Sequence, residues 1–411
     1  MEITGIVSEY NPFHKGHEYQ LKKARELSNC HAVAVVMSGN FVQRGEPAIM
    51  DKYKRATTAI YGGADIVIEL PMPFSCQNAE MFSLSAITEL KKLKINNLSF
   101  GCENDDVKIL KEIASAQLYN KNYSTILKEE ISKGISYPSA VSNAVIKILE
   151  KDISNNAQLK IEEIIKSPNN VLAIEYIKSA IKLNLNCNFI PVKRIGKGHN
   201  EMDLTGVYDS ATAIRKSILN DNIIPPSLTD KSIEMLNDFY YEHLSYNSLN
   251  FYLNYIYYKA LDLGVEGLKE IFEVSEGLNN KIYANLFKFN NVDDFIMSLK
   301  SKRYTYSKLR RILLNILLGI TKENIQYFMN YNDINYNYVK VLAFNDVGRE
   351  IIKQLKNDGI NVIVRYSDYK KYNVPLHRFS LTDKTTNIYY LPLKIRKTNE
   401  EYTKNAVYIN K

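Results

Sequence analysis

The sequence predicts an α/β protein in which a parallel sheet with helices on both faces is followed by a mainly helical C-terminal region. Over the first 105 residues, short runs of β-branched residues alternate with amphipathic stretches of helical length. The runs are continuously apolar, which is typical of strands buried on both faces. After residue 220, helical periodicity dominates to about residue 321. With 411 residues, the chain is long enough for two domains.

The first region is expected to follow the order βαβαβαβ. Its strands and helices are predicted, in turn, at residues 3–8, 17–27, 32–38, 51–61, 65–70, 79–93 and 97–101. Strands joined by helical crossovers form a parallel sheet, and the ligands of such sheets bind at the carboxyl ends of the strands. A functional site is therefore expected at that edge.

A mainly helical stretch at about residues 106–183 interrupts this order and is interpreted as an insertion. A strand at 188–192 and a helix that begins at Ser210 follow it. These elements complete a first domain, which we place at residues 1–220.

The second domain is predicted to span residues 221–411, and the pair Pro225 and Pro226 marks its beginning. A short strand–helix–strand piece is expected near its end, at residues 338–344, 348–357 and 361–365.

The composition favours a reducing compartment. The four cysteines form no CxxC pair, which argues against a disulfide framework. No stretch approaches the roughly 20 apolar residues that cross a bilayer, and the N-terminus lacks the features of a secretory signal. We therefore expect a cytoplasmic protein with no membrane partner.

Positive charge is concentrated in the last part of the chain. The net charge is +8, and residues 301–411 carry 20 basic against 9 acidic side chains. Such segregation is typical of a nucleic-acid-binding face, although a solvated surface gives the same count. The densest part interleaves basic residues with tyrosines: Lys302, Arg303, Tyr304, Tyr306, Lys308, Arg310 and Arg311.

The strongest chemical signal follows the first strand, where His14-Lys15-Gly16-His17 opens a helix. A helix N-terminus offers free amides and a dipole to a phosphate. His14 and His17 lie on neighbouring positions of its first turn, and Gly16 would let the backbone approach a ligand closely. Two imidazoles in this position could stabilise charge that develops on a phosphate in a transition state.

Two other interpretations of this pair remain open. His14 and His17 could belong to a metal site, but the chain has only six histidines and no cysteine or carboxylate cluster that completes a ligand set. They could also be a simple helix cap. Their position after the first strand of a βα unit favours the phosphate site.

The turn resembles the HIGH signature of the nucleotidylyltransferase superfamily, which includes class I aminoacyl-tRNA synthetases and adenylyltransferases of coenzyme synthesis. The adenylyltransferases have a second signature, a polar loop entering a late helix, which contacts the ATP phosphates from the opposite side. Residues 209–215 match it in kind. The resemblance implies a Rossmann-like catalytic domain of the HUP type in which Ser210, Thr212 and Arg215 are candidate phosphate contacts.

A wider set of segments resembles one family, the bacterial tRNA(Met) cytidine acetate ligases. The segments are 5–17, 38–48, 166–170, 194–196 and 210–215, with weaker matches at 302–305 and 309–313. The resemblance implies that ATP and acetate form acetyladenylate and pyrophosphate. The acetyl group then passes to N4 of the wobble cytidine of elongator tRNA(Met), and acetyl-CoA is not the donor. We expect Mg²⁺ to accompany the ATP, held mainly by phosphate oxygens and waters.

Carried over residue by residue, the resemblance places the ATP-binding residues along the first turn and at three later positions. They are Val7, Ser8, Glu9, Tyr10, Asn11, Pro12, Phe13, His14, Lys15, Gly16, His17, Glu18, Tyr19, Gln20, Gly101, Asn169 or Asn170, and Arg194. His14 and His17 would be the catalytic pair. A side chain at position 101 could block the nucleotide, and Arg194 suits a phosphate.

The loop after the second strand offers candidates for the carboxylate substrate. Asn40, Gln43 and Arg44 lie in this loop, and a guanidinium is the natural partner of acetate. A purely structural loop is the alternative.

The basic cluster at residues 302–311 is the candidate tRNA platform, because basic side chains contact phosphates and aromatic rings stack on bases. A solvated helix face is the alternative. Two other functions stay open for the chain. A small-molecule adenylyltransferase would not need the basic region, and an RNA-binding protein with a vestigial nucleotide fold would not need His14 and His17.

Overall fold

The computed structural model describes residues 1–149, 155–195, 206–275, 277–301, 304–329 and 337–410. In these ranges the strands are β1 Ile3–Ser8, β2 Ala32–Ser38, β3 Phe41–Val42, β4 Glu46–Pro47, β5 Ile66–Leu70, β6 Asn97–Cys102, β7 Asn188–Lys193, β8 Tyr338–Phe344, β9 Asn361–Ile363 and β10 Val407–Tyr408. The α-helices are α1 Lys15–Ser28, α2 Lys52–Tyr61, α3 Ala79–Lys92, α4 Val107–Tyr119, α5 Tyr123–Ser132, α6 Tyr137–Leu149, α7 Asn155–Lys166, α8 Pro168–Lys182, α9 Ala211–Lys216, α10 Asp230–His243, α11 Leu253–Glu270, α12 Leu278–Ala284, α13 Val292–Leu299, α14 Tyr306–Leu318, α15 Lys322–Phe328, α16 Asp346–Asn357, α17 Tyr366–Lys371, α18 Leu376–Tyr390 and α19 Glu400–Thr403.

The main sheet has the strand order β10-β8-β5-β2-β1-β6-β7, and β9 also pairs with β8. The pairs among β5, β2, β1, β6 and β7 are all parallel, which confirms the predicted α/β class. The chain runs from β1 to β2 on one side and later returns to β6 on the other, so the strand order reverses at β1. Ligands of open sheets bind outside the carboxyl ends at such a point. Ser8, the last residue of β1, therefore marks the expected site.

Strand β2 shows why the strands are unbroken apolar runs in the sequence. Every residue of Ala32–Ser38 is buried. Ala32 and Val36 face a core shared with helices α3, α4, α6 and α8, whereas Val33 and Met37 face a core shared with α1 and α2. The helices of the predicted insertion therefore cover one face of the sheet.

The sheet continues into the C-terminal part of the chain. Strand β8 pairs antiparallel with β5, and both β9 and β10 pair parallel with β8. The strands predicted near residues 338–344 and 361–365 are present, but they extend the sheet of the first region. A domain boundary near residue 220 therefore does not coincide with an edge of this sheet.

The helices of the C-terminal region enclose a third core, which also reaches the first region. Ile312 and Leu313 of α14 belong to it, as do Phe41, Ile49 and Met50 from the loop after β2. The mainly helical region therefore packs directly on the loop at the carboxyl end of β2. Within the described ranges, no helix is long and apolar enough to cross a membrane.

Candidate active site

The chain turns sharply between β1 and α1. Tyr10 has a left-handed backbone with φ of 46°, and the peptide bond between Asn11 and Pro12 is cis. Oδ1 of Asn11 accepts a hydrogen bond from the Ile49 amide at 2.8 Å, and the Asn11 carbonyl accepts one from Arg215 at 2.7 Å. The turn is therefore tied both to the loop after β2 and to helix α9.

His14 and His17 form a reciprocal cap at the beginning of α1. Nδ1 of His14 accepts a hydrogen bond from the Gly16 amide at 3.1 Å, and Nδ1 of His17 accepts one from the His14 amide at 3.3 Å. A neutral imidazole that accepts at Nδ1 carries its proton on Nε2. The ring centroids are 3.7 Å apart, so the two Nε2–H donors are held close together.

Both imidazoles are neutral at physiological pH. Burial, reinforced by the charges of Arg194 and Arg215 and partly offset by Asp209, lowers the pKa of His14 to about 3. Burial, followed by His14 and Arg194, lowers the pKa of His17 well below its usual value. The pair is therefore suited to donating hydrogen bonds to phosphate oxygens without transferring a proton.

The prediction of free amides at this helix end is wrong. The Lys15 amide donates to the Ser227 carbonyl at 2.9 Å, and the two amides after Gly16 donate to the His14 carbonyl. Glycine also serves a different purpose at position 16. A Cβ there would lie 2.8 Å from Cε1 of His14, so glycine makes room for the imidazole. Side chains must therefore provide the anion contacts.

A second group of predicted residues lies at the carboxyl end of β6. A Cβ on Gly101 would be 3.8 Å from the side chains of Gln20 and Arg194. This is ordinary van der Waals contact, so the glycine keeps a space open and relieves no clash within the protein. Arg194 is exposed beside this space, and its charge reaches His14 and His17.

The structure distinguishes the two candidate asparagines. Nδ2 of Asn169 donates to the Glu103 carboxylate at 2.6 Å. Oδ1 of Asn170 accepts from the amides of Glu103 and Asn104 at 3.1 and 3.2 Å, and its buried Nδ2 has no hydrogen-bond partner among the described residues. Asn170 therefore keeps one unused donor, which favours it over Asn169 as the nucleotide contact.

The hairpin of β3 and β4 brings Arg44 to the turn. Nη1 of Arg44 donates to Oγ1 of Thr212 at 3.2 Å, and Nε lies 3.6 Å from the Glu9 carboxylate. Arg44 and Gln43 are half-buried at this edge. Both therefore remain candidates for holding acetate.

Asn40, the third predicted acetate contact, is directed elsewhere. Its Oδ1 accepts from the Lys52 amide at 2.9 Å, and its Nδ2 donates to Oγ1 of Thr386 at 3.4 Å. The side chain is buried by these contacts. The structure corrects this assignment, because Asn40 shapes the loop and does not face the turn.

Helix α9 provides the predicted second signature. Ser210 caps it by accepting a hydrogen bond from the Ala213 amide at 3.1 Å. Arg215 is buried, donates to the carbonyls of Asn11 and Ala211, and lies 2.8 Å from the Glu46 carboxylate. Ser210 and Thr212 remain candidate phosphate contacts, but the partners of Arg215 make it a link between α9 and the turn.

The structure corrects the predicted tRNA-binding role at two residues of the candidate platform. Arg310 pairs with Glu46 at 2.5 Å, and Arg311 lies 3.9 Å from Glu273, with side chains only 22% and 12% exposed. These guanidiniums therefore stabilise the interior and do not form a phosphate-binding face. Nζ of Lys308 lies 5.0 Å from the centre of the Tyr304 ring. The remaining two members, Lys302 and Arg303, lie outside the described residues.

Sequence reasoning missed Glu46 and Arg55, which hold the site together. Arg55 is completely buried and donates to the carbonyls of Glu9, Ser38, Gly39 and Met50. It thereby joins the segments that follow β1 and β2. A basic residue in an amphipathic helix gives no sign of this, because the partners are backbone atoms from two distant segments.

The remaining predicted ATP-binding residues fall into a buried group and a group with accessible surface. Tyr10, Asn11, Pro12 and Phe13 are buried and support the turn. Those with accessible surface are Val7, Ser8, Glu9, Lys15, Glu18, Tyr19 and Gln20.

Comparison with known proteins identifies the family of this chain. The chain matches the family model described as HIGH Nucleotidyl Transferase over residues 1–405. It is 38% identical over 409 residues to the tRNA(Met) cytidine acetate ligase of Clostridium perfringens strain SM101, with 98% of each chain covered. It is 39% identical over 399 residues to that of Thermoanaerobacter sp. strain X514, with 96% of each covered.

Solved structures show the same likeness over the full length. Thermotoga maritima TmcAL, at 30% identity and 100% coverage of both chains, superimposes with a TM-score of 0.91 in its apo form. The TM-score is 0.90 for TmcAL bound with alpha-thio ATP. The chain therefore belongs to the tRNA(Met) cytidine acetate ligase family of HIGH nucleotidyl transferases.

Proposed function

We propose that this protein activates acetate with ATP and transfers the acetyl group to N4 of the wobble cytidine of elongator tRNA(Met) in the cytoplasm. The names of its relatives support the acceptor, and the ATP analogue bound to TmcAL supports the nucleotide. The single observation that carries the proposal is the neutral pair His14 and His17, whose Nε2–H donors lie after the carboxyl end of β1, near enough to Arg194 for its charge to act on both rings.

In the first step, a carboxylate oxygen of acetate attacks the α-phosphorus of ATP. An oxygen–phosphorus bond forms, the bond from Pα to the bridging oxygen breaks, and pyrophosphate leaves. Such a displacement requires positioning and charge stabilisation more than proton transfer. The Nε2–H groups of His14 and His17 would donate to the non-bridging oxygens of the α-phosphate as their charge increases.

Arg44 is the residue that we assign to acetate. Its guanidinium lies between Glu9 and Thr212 at the rim of the turn, and a guanidinium matches a carboxylate in charge and shape. Arg194, whose side chain lies beside Gly101, would contact the ATP phosphates.

In the second step, the amino group of the cytidine attacks the acetyl carbon of acetyladenylate, and AMP leaves. The mixed anhydride is reactive enough that no protein nucleophile is needed. The base has to be presented unstacked, because its reacting edge is otherwise covered. A tRNA anticodon loop would therefore have to reach the carboxyl end of β1.

The Mg²⁺ expected with ATP would be held mainly by phosphate oxygens and waters. Among the described residues, no group of three or more His, Cys, Asp or Glu side chains is arranged to bind a metal ion. The ion would neutralise charge on the triphosphate, while His14, His17 and the arginines position the reacting atoms.

Nucleoside mass spectrometry tests this function. Elongator tRNA(Met) is incubated with the protein, ATP and isotopically labelled acetate, and with labelled acetyl-CoA in a parallel sample. We expect labelled N4-acetylcytidine from acetate only. Label arriving from acetyl-CoA, or no labelled cytidine despite bound tRNA, would refute the proposal.

A further inference from the structure

Glu46 is a buried carboxylate that joins two arginines from distant parts of the chain. Oε1 lies 2.8 Å from Nη2 of Arg215, and Oε2 lies 2.5 Å from Nη2 of Arg310. Burial alone would raise the pKa of Glu46, but Arg215, Arg310 and Arg44 outweigh burial and lower it to about 2. Glu46 is therefore ionised throughout the physiological range.

Through Arg215, this carboxylate reaches the catalytic turn. Nη1 of Arg215 donates to the Asn11 carbonyl at 2.7 Å and to the Ala211 carbonyl at 3.0 Å. Asn11 lies three residues before His14, whose ring and amide build the histidine cap. A continuous series of contacts therefore connects Glu46 to the position of the imidazoles.

On its other side, Glu46 fixes the hairpin to helix α14. Besides the pair with Arg310, the backbone of Gly45 packs so closely on this helix that a Cβ would lie 2.7 Å from the Arg311 nitrogen. Since Arg44 precedes Gly45 in the same hairpin, α14 also determines where the Arg44 guanidinium lies.

We propose that Glu46 is a positioning residue of the adenylation step. It holds Arg215, so that the turn carrying His14 and His17 keeps its shape, and it occupies two of the three nearby guanidiniums. Arg44, whose guanidinium contacts Thr212 and Glu9, lies in the same hairpin as Glu46. This inference rests on the proposed function, since it names how the site selects and places its reactants.

Removal of the Glu46 charge should affect ATP binding and turnover differently. Replacing Glu46 by Gln keeps the size of the side chain but releases Arg215 and Arg310, which adds positive charge beside the ATP site. Nucleotide binding should therefore be maintained or strengthened, while turnover falls by about 100-fold, because misplacement of reacting groups by about 1 Å has an effect of that size. A variant that merely unfolded would lose both.

The pair formed by Glu273 and Arg311 provides a matched control. Arg311 follows Arg310 in helix α14, Glu273 is likewise poorly exposed, and neither contacts the turn. The Glu273→Gln variant should be destabilised in a similar way but should keep its turnover within about twofold, as expected for a site without shared partners.

The experiment compares wild type, Glu46→Gln, Glu46→Asp and Glu273→Gln by acetate-dependent ATP–pyrophosphate exchange and by calorimetric titration with ATP. We expect turnover to fall in Glu46→Gln, to recover in part in Glu46→Asp, and to be retained in Glu273→Gln, with ATP affinity kept in all. Equal turnover losses in the Glu46→Gln and Glu273→Gln variants would overturn the proposal.

A second measurement separates this inference from the proposed function. With ¹⁵N-labelled histidine, NMR reports the tautomers of His14 and His17 without any reaction. Glu46→Gln should change these two signals, and Glu273→Gln should leave them in place. If wild type shows no acetate-dependent exchange but this difference persists, the proposed function is wrong, whereas Glu46 still positions the two histidines. If the signals do not change in Glu46→Gln, the positioning role is wrong.

Discussion

At the scale of single residues, the role that we propose for the histidine pair depends on the tautomer of both rings. The backbone amides of Gly16 and His14 occupy both Nδ1 atoms, which leaves the Nε2–H donors for a ligand. Burial and Arg194 keep the rings neutral. A phosphate site at this turn could be predicted from sequence, because two histidines, a glycine and a preceding strand are close together in the chain, and it stays a prediction. The use of the Lys15 amide by Ser227 could not be predicted, because it depends on a segment more than 200 residues away.

The lowered pKa of His14 predicts a pH-dependent stability. Its pKa is about 3 in the folded protein and about 6.5 in an unfolded chain. Between these values the unfolded state binds more protons, so stability is lost as the pH falls below about 6.5, by up to about 1.4 kcal/mol per pH unit. His14→Asn keeps a capping acceptor without this titration. Its melting temperature should therefore fall less than that of wild type between pH 7 and pH 5, and equal falls would contradict the assignment.

The space beside Gly101 leads us to expect that Gly101→Ala weakens nucleotide binding but does not impair folding. The Gly101→Ala side chain would enter the space between Gln20 and Arg194 at ordinary contact distance. The melting temperature without ATP should match that of wild type, while the dissociation constant for ATP rises by about tenfold, or roughly 1.4 kcal/mol. Calorimetric titration measures this directly. Unchanged affinity would mean that the space is not used by the nucleotide.

At the scale of elements, α14 joins the helical region to the active site. Its basic residues suggested an RNA-binding face, since a sequence shows charge but not the carboxylates that neutralise it. Glu46 and Glu273 are far from α14 in the chain, and no local pattern pairs them with Arg310 and Arg311. The strand β1 and the helix α1, in contrast, follow from apolar runs and a cap that lie within a few neighbouring residues.

This change of interpretation gives a prediction for Arg310. Arg310→Ala leaves Glu46 with Arg215 and the charge of Arg44, so the loss of stability should be smaller than the roughly 3–5 kcal/mol of a buried charge left without compensation. We expect lower stability in urea and slower adenylation, with no change in how tRNA binding depends on salt. Lys308→Ala serves as the comparison on the same helix. A reduced salt dependence in Arg310→Ala alone would restore the phosphate-contact interpretation.

At the scale of the whole molecule, the C-terminal strands complete the catalytic sheet. Four buried charges hold this junction: Lys52 and Glu69 from the first region pair with Lys340 of β8 and Glu401 of α19. The boundary that the sequence predicts near residue 220 remains a prediction about independent folding. The pairing of β5 with β8 could not be foreseen, because it joins strands that lie near opposite ends of the chain.

This charge cluster predicts a compensating pair of substitutions. Glu401→Leu leaves two lysines facing Glu69 and should destabilise the protein by about 3–5 kcal/mol. Adding Lys340→Met removes the unpaired charge and leaves Lys52 with Glu69, so the double variant should be more stable than the single one. Thermal unfolding at several salt concentrations measures the difference. A double variant less stable than Glu401→Leu would show that these groups are not coupled.

The most direct test of the account is acetate-dependent exchange of labelled pyrophosphate into ATP in the absence of RNA. Wild type should catalyse exchange with acetate and not without it. His17→Ala should reduce the rate by about 100-fold to 1000-fold, as loss of one transition-state donor does, while still binding tRNA. Exchange that needs no carboxylate, or that is undiminished in His17→Ala, would contradict the claim that the histidine pair promotes the adenylation of acetate.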